Sequence, residues 1–216
     1  MLFAGKRRAG RRVPAAALVC ALAWAGGCED PDQSLPAPAR PGGTSAPPAV
    51  SDTPTDTLGP FAAGTAYPAA PVDMQKLVEE AFRGIPEPAR RQDYELIGAI
   101  LPHGALGAMG RPSAMAWQLL KRPSVERVVM LIPAGTRRPG YVAVTGAERW
   151  VGPFGEVTLD RALARRLAEE HDFIQRDDSL FATSPEAEAH LPLIAWTRPD
   201  LKVLPLFIGD ETLGLS

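Results

Sequence analysis

The sequence predicts an α/β domain around a largely parallel sheet, preceded by an N-terminal stretch that cannot build a core. Three observations predict it. Short apolar runs, LIGAIL at 96–101, RVVMLI at 127–132 and KVLPLFI at 202–208, have the length of buried strands. Segments with apolar residues at helical spacing lie between them, and strands alternating with helices imply a parallel sheet. The 23 prolines are unevenly spread and cluster between Pro31 and Pro60. A chain of 216 residues allows one domain with appendages. Its 23 Lys and Arg nearly balance its 25 Asp and Glu, which leaves no basic face for nucleic acid. The only cysteines, Cys20 and Cys28, precede the domain, so the domain has no disulfide, thiolate ligand or cysteine nucleophile.

The first residues read as an export signal, residues 1–27. Lys6, Arg7, Arg8, Arg11 and Arg12 form a positive start. Val13 to Ala25 is apolar, with the length of a signal-peptide core and too short to span a bilayer comfortably. Ala25, Gly26 and Gly27 then precede Cys28. Small residues before a cysteine resemble the cleavage site of bacterial lipoproteins. The implied product is a chain beginning at a lipidated, palmitate-bearing Cys28, held to a membrane facing the periplasm or cell surface. Residues 28–60 then read as a proline-rich tether. Ala, Ser, Thr and Gly fill the gaps between its prolines, and no aromatic residue occurs between Trp24 and Phe61. Such a stretch cannot bury enough apolar surface to offset its ordering entropy, so it is expected to be disordered.

The domain, 61–216, is read element by element. Met74, Leu77, Val78, Ala81 and Phe82 make an amphipathic helix over 73–83, ended by Gly84 and Pro86. Leu96 to Leu101 is a buried strand. Pro112 suits the first turn of a helix whose apolar face holds Met115, Leu119 and Leu120. Arg127 to Ile132 is the second buried strand and Tyr141 to Val144 a third. Asp160 caps a helix carrying Leu163 and Leu167. Ser184-Pro185-Glu186 starts another, with a capping hydroxyl, a first-turn proline and an acid at the positive dipole end. Lys202 to Ile208 is the last strand, and Pro205 argues for an edge position or an irregular ladder. Functional residues of such sheets sit beyond strand C-termini. Pro102-His103-Gly104 and Pro133-Ala134-Gly135 are the turns that qualify.

Those turns and their flanks carry a family resemblance. Ala63-Gly64-Thr65-Ala66-Tyr67-Pro68 is similar to A-G-x-F-Y-P, and Gly98 to His103 resembles the start of G-A-I-V-P-H-A-G-Y. Val128 to Pro133 resembles V-V-I-L-G-P. Gly146-Ala147, Trp150, Pro153 to Val157 and Asp160 follow G-A-x-x-W-x-T-P-L-G-x-V-x-x-D. Glu188 to Pro192 resembles E-V-Q-L-P, and Val203 to Gly209 resembles V-P-V-L-V-G. In order and spacing these resemble the Memo-like family, labelled AmmeMemoRadiSam system protein B in bacteria. The resemblance implies a three-layer α/β/α sandwich similar to class III extradiol dioxygenases. It also implies a histidine-built iron or copper site at the strand ends.

The chain departs from that pattern at the site. His103 matches the first family histidine. Gly135 stands at the second and Pro185 at the third, and Ala105 and Leu106 replace the usual aromatic and glycine. The S-D-x-S-H segment has no counterpart before Ser216. His103 is the remaining metal-ligand or acid/base candidate, and Glu188 and His190 are candidates for a rebuilt site. One imidazole does not hold a transition metal tightly, so no cofactor is expected, with iron or copper the alternative by resemblance. Bland roles suit the other conspicuous residues: a solvated helix end for His171, capping or turns for Ser113, Ser179 and Ser184, core for Trp117, Trp150 and Trp196, and a solvated loop for Arg137-Arg138. The expected function is a non-catalytic binding or scaffold role for an envelope lipoprotein, toward an unidentified protein or small ligand. The alternatives are a redox or dioxygenase-type metalloenzyme, and a truncated copy without function.

Overall fold

The computed structural model describes residues 2–6, 17–23, 56–86, 94–121, 125–134 and 139–209. Cys28, most of the tether, Gly135, Arg137-Arg138 and the last seven residues lie outside them. Within the described residues the fold is α/β, as the alternation of runs predicts.

The strands are β1 (Leu2–Lys6), β2 (Ala17–Ala23), β3 (Thr57–Leu58), β4 (Tyr94–Pro102), β5 (Arg127–Pro133), β6 (Val142–Val144), β7 (Arg149–Gly152), β8 (Gly155–Leu159), β9 (Ile174–Arg176) and β10 (Lys202–Ile208). The longer helices are α1 (Pro71–Phe82), α2 (Leu106–Gln118), α3 (Arg161–Glu170) and α6 (Leu191–Thr197), with the single turns α4 (Asp178–Phe181) and α5 (Pro185–Glu188). One sheet runs β1-β4-β2-β5-β10-β8-β7-β3; β6 branches from β10, and β9 pairs with β6. The centre is parallel through β4, β2, β5 and β10. Antiparallel pairs, β1 with β4, β7 with β8 and β6 with β10, make the sheet mixed.

Period-2 side-chain alternation places the core. Val128, Met130 and Ile132 of β5, with Val203 and Phe207 of β10, join a large cluster containing Met74 and Val78 of α1, Trp117 of α2 and Leu193 of α6. The alternate residues Val129, Leu204, Leu206 and Ile208 join a smaller cluster with Ala164, Leu163 and Leu167 of α3. Successive residues of the same strands therefore feed opposite clusters. A continuous apolar run is what a strand covered on both faces requires.

Several expectations are corrected. α2 begins at Leu106, so Pro112 lies inside it, not at its start. Pro112 and Ala108 are exposed, so the carbonyl freed by the missing N–H lies on the solvent face, where water can satisfy it. The first turn of α2 is held from outside: Leu106 N–H donates to the Ala66 carbonyl at 2.8 Å. β10 is an interior strand, so of the two expectations for Pro205 the irregular ladder holds and the edge does not. Lys202 N–H donates toward β5, to Glu126, while the Val203 carbonyl accepts from Asp160 on the other side. By alternation, position 205 faces away from β5. There β8 pairs only with Lys202 and Val203, and β6 only with Phe207 and Ile208. The proline nitrogen falls in the gap between two short partners. The tether's expected end at Pro60 also shifts, because Thr57 and Leu58 pair with β7 and Leu58 is buried. Trp117 and Trp150 are core, but Trp196 is 41% exposed, with its ring 5.4 Å from that of Phe154. Among the described residues no helix is long and apolar enough to cross a membrane.

Candidate functional site

β4 ends at Pro102, and His103 is the next residue, at the C-terminal side of the parallel strands. Gly104 follows at φ 132°, a backbone conformation that favours glycine, and turns the chain toward α2. His103 opens onto a cavity of about 260 Å³ lined by Thr65, Ala66, His103, Gly104, Ala105, Pro185 and Glu186. Its Nε2 lies 4.0 Å from Glu186 Oε1, and both side chains are partly exposed, at 29% and 21%. Glu186 reaches the cavity from the first turn of α5, where Pro185 starts the helix. The cavity wall is mostly apolar, with one imidazole facing one carboxylate. That arrangement can hold a small polar or cationic group and can exchange a proton with it.

The other two candidates do not share this cavity. Glu188 is fully buried at the end of α5. Its Oε2 accepts from Phe61 N–H at 2.9 Å, and its Oε1 from Ala62 N–H at 2.8 Å and the Tyr67 hydroxyl at 2.5 Å. Burial, and then the Glu188 carboxylate, push the Tyr67 hydroxyl well above the usual tyrosine range, so it remains a donor. Glu188 thus fastens the loop 61–67, whose Thr65 and Ala66 form one wall of the cavity. Within that loop Gly64 N–H donates to Tyr67 at 2.7 Å, and Thr65 Oγ1 donates to Ala62 at 3.0 Å.

His190 is also fully buried, at the start of α6. Trp117 Nε1–H donates to its Nδ1 at 3.4 Å. Burial lowers its pKa from 6.5 to about 4, so the ring is neutral at ordinary pH. The Pro102 carbonyl opposes that shift and the neighbouring His103 reinforces it, yet no atom completes a hydrogen bond with Nε2 among the described residues. His190 therefore stands behind His103, against the last residue of β4, outside the set that lines the cavity.

Sequence reasoning identified His103 at its strand end and missed Glu186 as its partner. By sequence Glu186 is a favourable charge at a helix start, and its place two residues before Glu188 is the available signal. Among the described residues no group of three or more His, Cys, Asp and Glu side chains gathers as a metal-binding set. His103 and Glu186 alone fall short of the three or more protein ligands usual for tight transition-metal sites, so these residues do not by themselves fit iron or copper. His171 ends α3 in an exposed position, its ring 5.4 Å from Phe173. Ser179 donates to Asp177 at 2.6 Å. Ser113 and Ser184 are buried, and Ser184 makes no side-chain cap.

Comparison with known proteins agrees with the motifs. Residues 59–214 match the family described as Memo-like protein. A MEMO1 family protein of Methanobrevibacter smithii is 24% identical over 165 residues, covering 73% of this chain and 58% of the relative. One of Methanococcoides burtonii is 28% identical over 153 residues, covering 70% and 54%. One of Thermoplasma acidophilum is 21% identical over 158 residues, covering 73% and 58%. The chain thus spans little more than half the length of these relatives. With the family match running from Gly59 through β10, the chain belongs to the Memo-like protein family.

Proposed function

We propose that this chain is an envelope lipoprotein of the Memo-like family, with a binding or scaffold role and a reduced metal site. The observation that supports it is the fate of the three candidate residues. Glu188 is committed to three structural hydrogen bonds, and His190 is sealed behind Trp117 as a neutral ring. That leaves His103 facing Glu186 in a small, mostly apolar cavity suited to holding a ligand. Opposite clusters on the two faces of β5 and β10 support a three-layer α/β/α arrangement of the class III extradiol dioxygenase kind. Anchoring rests on the sequence around Cys28.

A second reading is favoured by His103 itself, which keeps its place beyond β4 with a carboxylate beside it. In that reading the chain is an iron or copper redox or dioxygenase-type protein, with further ligands supplied by a partner chain or by residues outside those described. Reconstitution with Fe(II) or Cu(II), followed by metal analysis, separates the two. The expected result is well under one metal per chain, with no change on His103→Ala. Stoichiometric metal that is lost in His103→Ala would overturn the binding-module reading.

A further inference from the structure

Residues 17–23, ALVCALA, lie inside the stretch that reads as the apolar core of an export signal. In the fold the same residues are β2, an interior strand of the sheet. Val19 to Ala23 pair in parallel with Gly98 to Pro102 of β4, and Ala17 to Ala21 pair in parallel with Arg127 to Leu131 of β5. Val19 has a partner on each side, Gly98 and Val129. No direct β4–β5 pairing bypasses this strand in the sheet order. Neighbouring strands lie about 4.8 Å apart, so without β2 the facing edges of β4 and β5 stand roughly 9.6 Å apart, beyond hydrogen-bond reach.

One composition serves both purposes. A signal core needs a short uncharged apolar run, and a parallel interior strand also needs a continuous apolar run. The two uses cannot hold in one molecule at one time. Cleavage ahead of Cys28 removes β1 and β2 together. A β2 engaged on both edges cannot be presented as an extended leader.

We propose that residues 17–23 are an intramolecular donor strand filling the slot between β4 and β5, so that completing the sheet and releasing the leader are exclusive fates of one segment. The stretch between the leader and β3 is a poor substitute for it. Residues 28–55 are broken by Pro31, Pro36, Pro38, Pro41, Pro47, Pro48 and Pro54, and proline cannot donate to an interior ladder. On the lipoprotein reading, release of the leader takes residues 17–23 out of the slot between β4 and β5. The exclusivity rests on the lipoprotein reading; the donor strand does not.

Hydrogen exchange on the full chain tests both parts. In the unprocessed Cys28→Ser chain, amides 18–22 should exchange about a hundredfold more slowly than an unprotected peptide, as should those of the interior strand β10. Unprotected exchange there overturns the donor strand without recourse to a destabilising variant. Val19→Pro in the same chain should speed exchange at 98–101 and 128–131 more than at 150–158; equal change everywhere, or none, counts against the slot. In the wild-type chain recovered from membranes with labelled palmitate, residues 98–101 and 128–131 should exchange at least about tenfold faster than in Cys28→Ser. Equal protection overturns exclusivity. If no palmitate-labelled chain forms, the lipoprotein reading and the exclusivity fall together, and the exchange of residues 18–22 still decides the donor strand.

Discussion

At the scale of single residues, the chain uses its buried polar groups to build the wall of a cavity more than to line it. Glu188 looks in sequence like a site carboxylate, because it is an acid in a motif near a histidine. In space its two oxygens take three donors from a loop more than 120 residues away. Glu188→Ala leaves Phe61 N–H, Ala62 N–H and the Tyr67 hydroxyl without that acceptor, and should cost about 3–5 kcal/mol. Glu188→Gln keeps an acceptor oxygen and should cost less. Urea midpoints of the two variants check this, and equal midpoints would place the loop's anchorage elsewhere. Gly146 shows the same dependence on distant contacts. A Cβ there would collide with the Arg176 guanidinium, so the glycine of the Gly146-Ala147 motif makes room for a group that also bonds Asp178. Spacing revealed neither partner.

At the scale of elements, local signals were most reliable where the cap and its helix are adjacent. Asp160 has the sequence position of a cap, and its Oδ1 accepts from Leu163 N–H at 3.0 Å. Burial alone would raise its pKa. The Leu163 N–H, the Arg127 guanidinium at 2.5 Å and Lys202 outweigh burial and hold it below the usual carboxylate range. Asp160→Ala should cost about 1–3 kcal/mol by removing the cap and the charge partner together. Asp160→Asn should recover part of that, because an amide oxygen still caps α3. Thermal unfolding of the pair checks it, and no recovery in Asn would assign the whole effect to Arg127. The proline signals read less well. Pro112 does not open its helix, and of the two readings of Pro205 the irregular ladder holds and the edge does not. A proline reports only which backbone group lacks a donor, and tertiary structure decides whether that group faces solvent or a gap.

At the scale of the whole molecule, the buried His190 ties stability to pH. Its pKa is about 4 when folded against 6.5 as the ordinary value, so the unfolded chain takes up the proton first. Stability is then full above pH 6.5, falls as pH drops toward 4 and levels off below, a loss of roughly 3 kcal/mol. Asp160 and Asp177, both held below the ordinary carboxylate value, add their loss at still lower pH. Urea midpoints measured from pH 7.5 to 4 test this. A flat profile for the wild type, or the same slope in His190→Gln, would show that the imidazole is not the titrating group. Pairings far apart in sequence also organise the sheet. β10, the last strand, lies between β5 and β8, and β2, near the start, lies between β4 and β5.

The sequence by itself determined the α/β class, the principal strands, the family and the position of His103 beyond a strand end. Each rests on apolar period, turn residues or motif order within one stretch of chain. Tertiary structure alone decided that Glu186 faces His103, that Glu188 fastens the 61–67 loop, that His190 is sealed and neutral, and that an apolar leader-like run doubles as a central strand. Each of these depends on burial or on contacts between distant segments, which residue spacing does not encode.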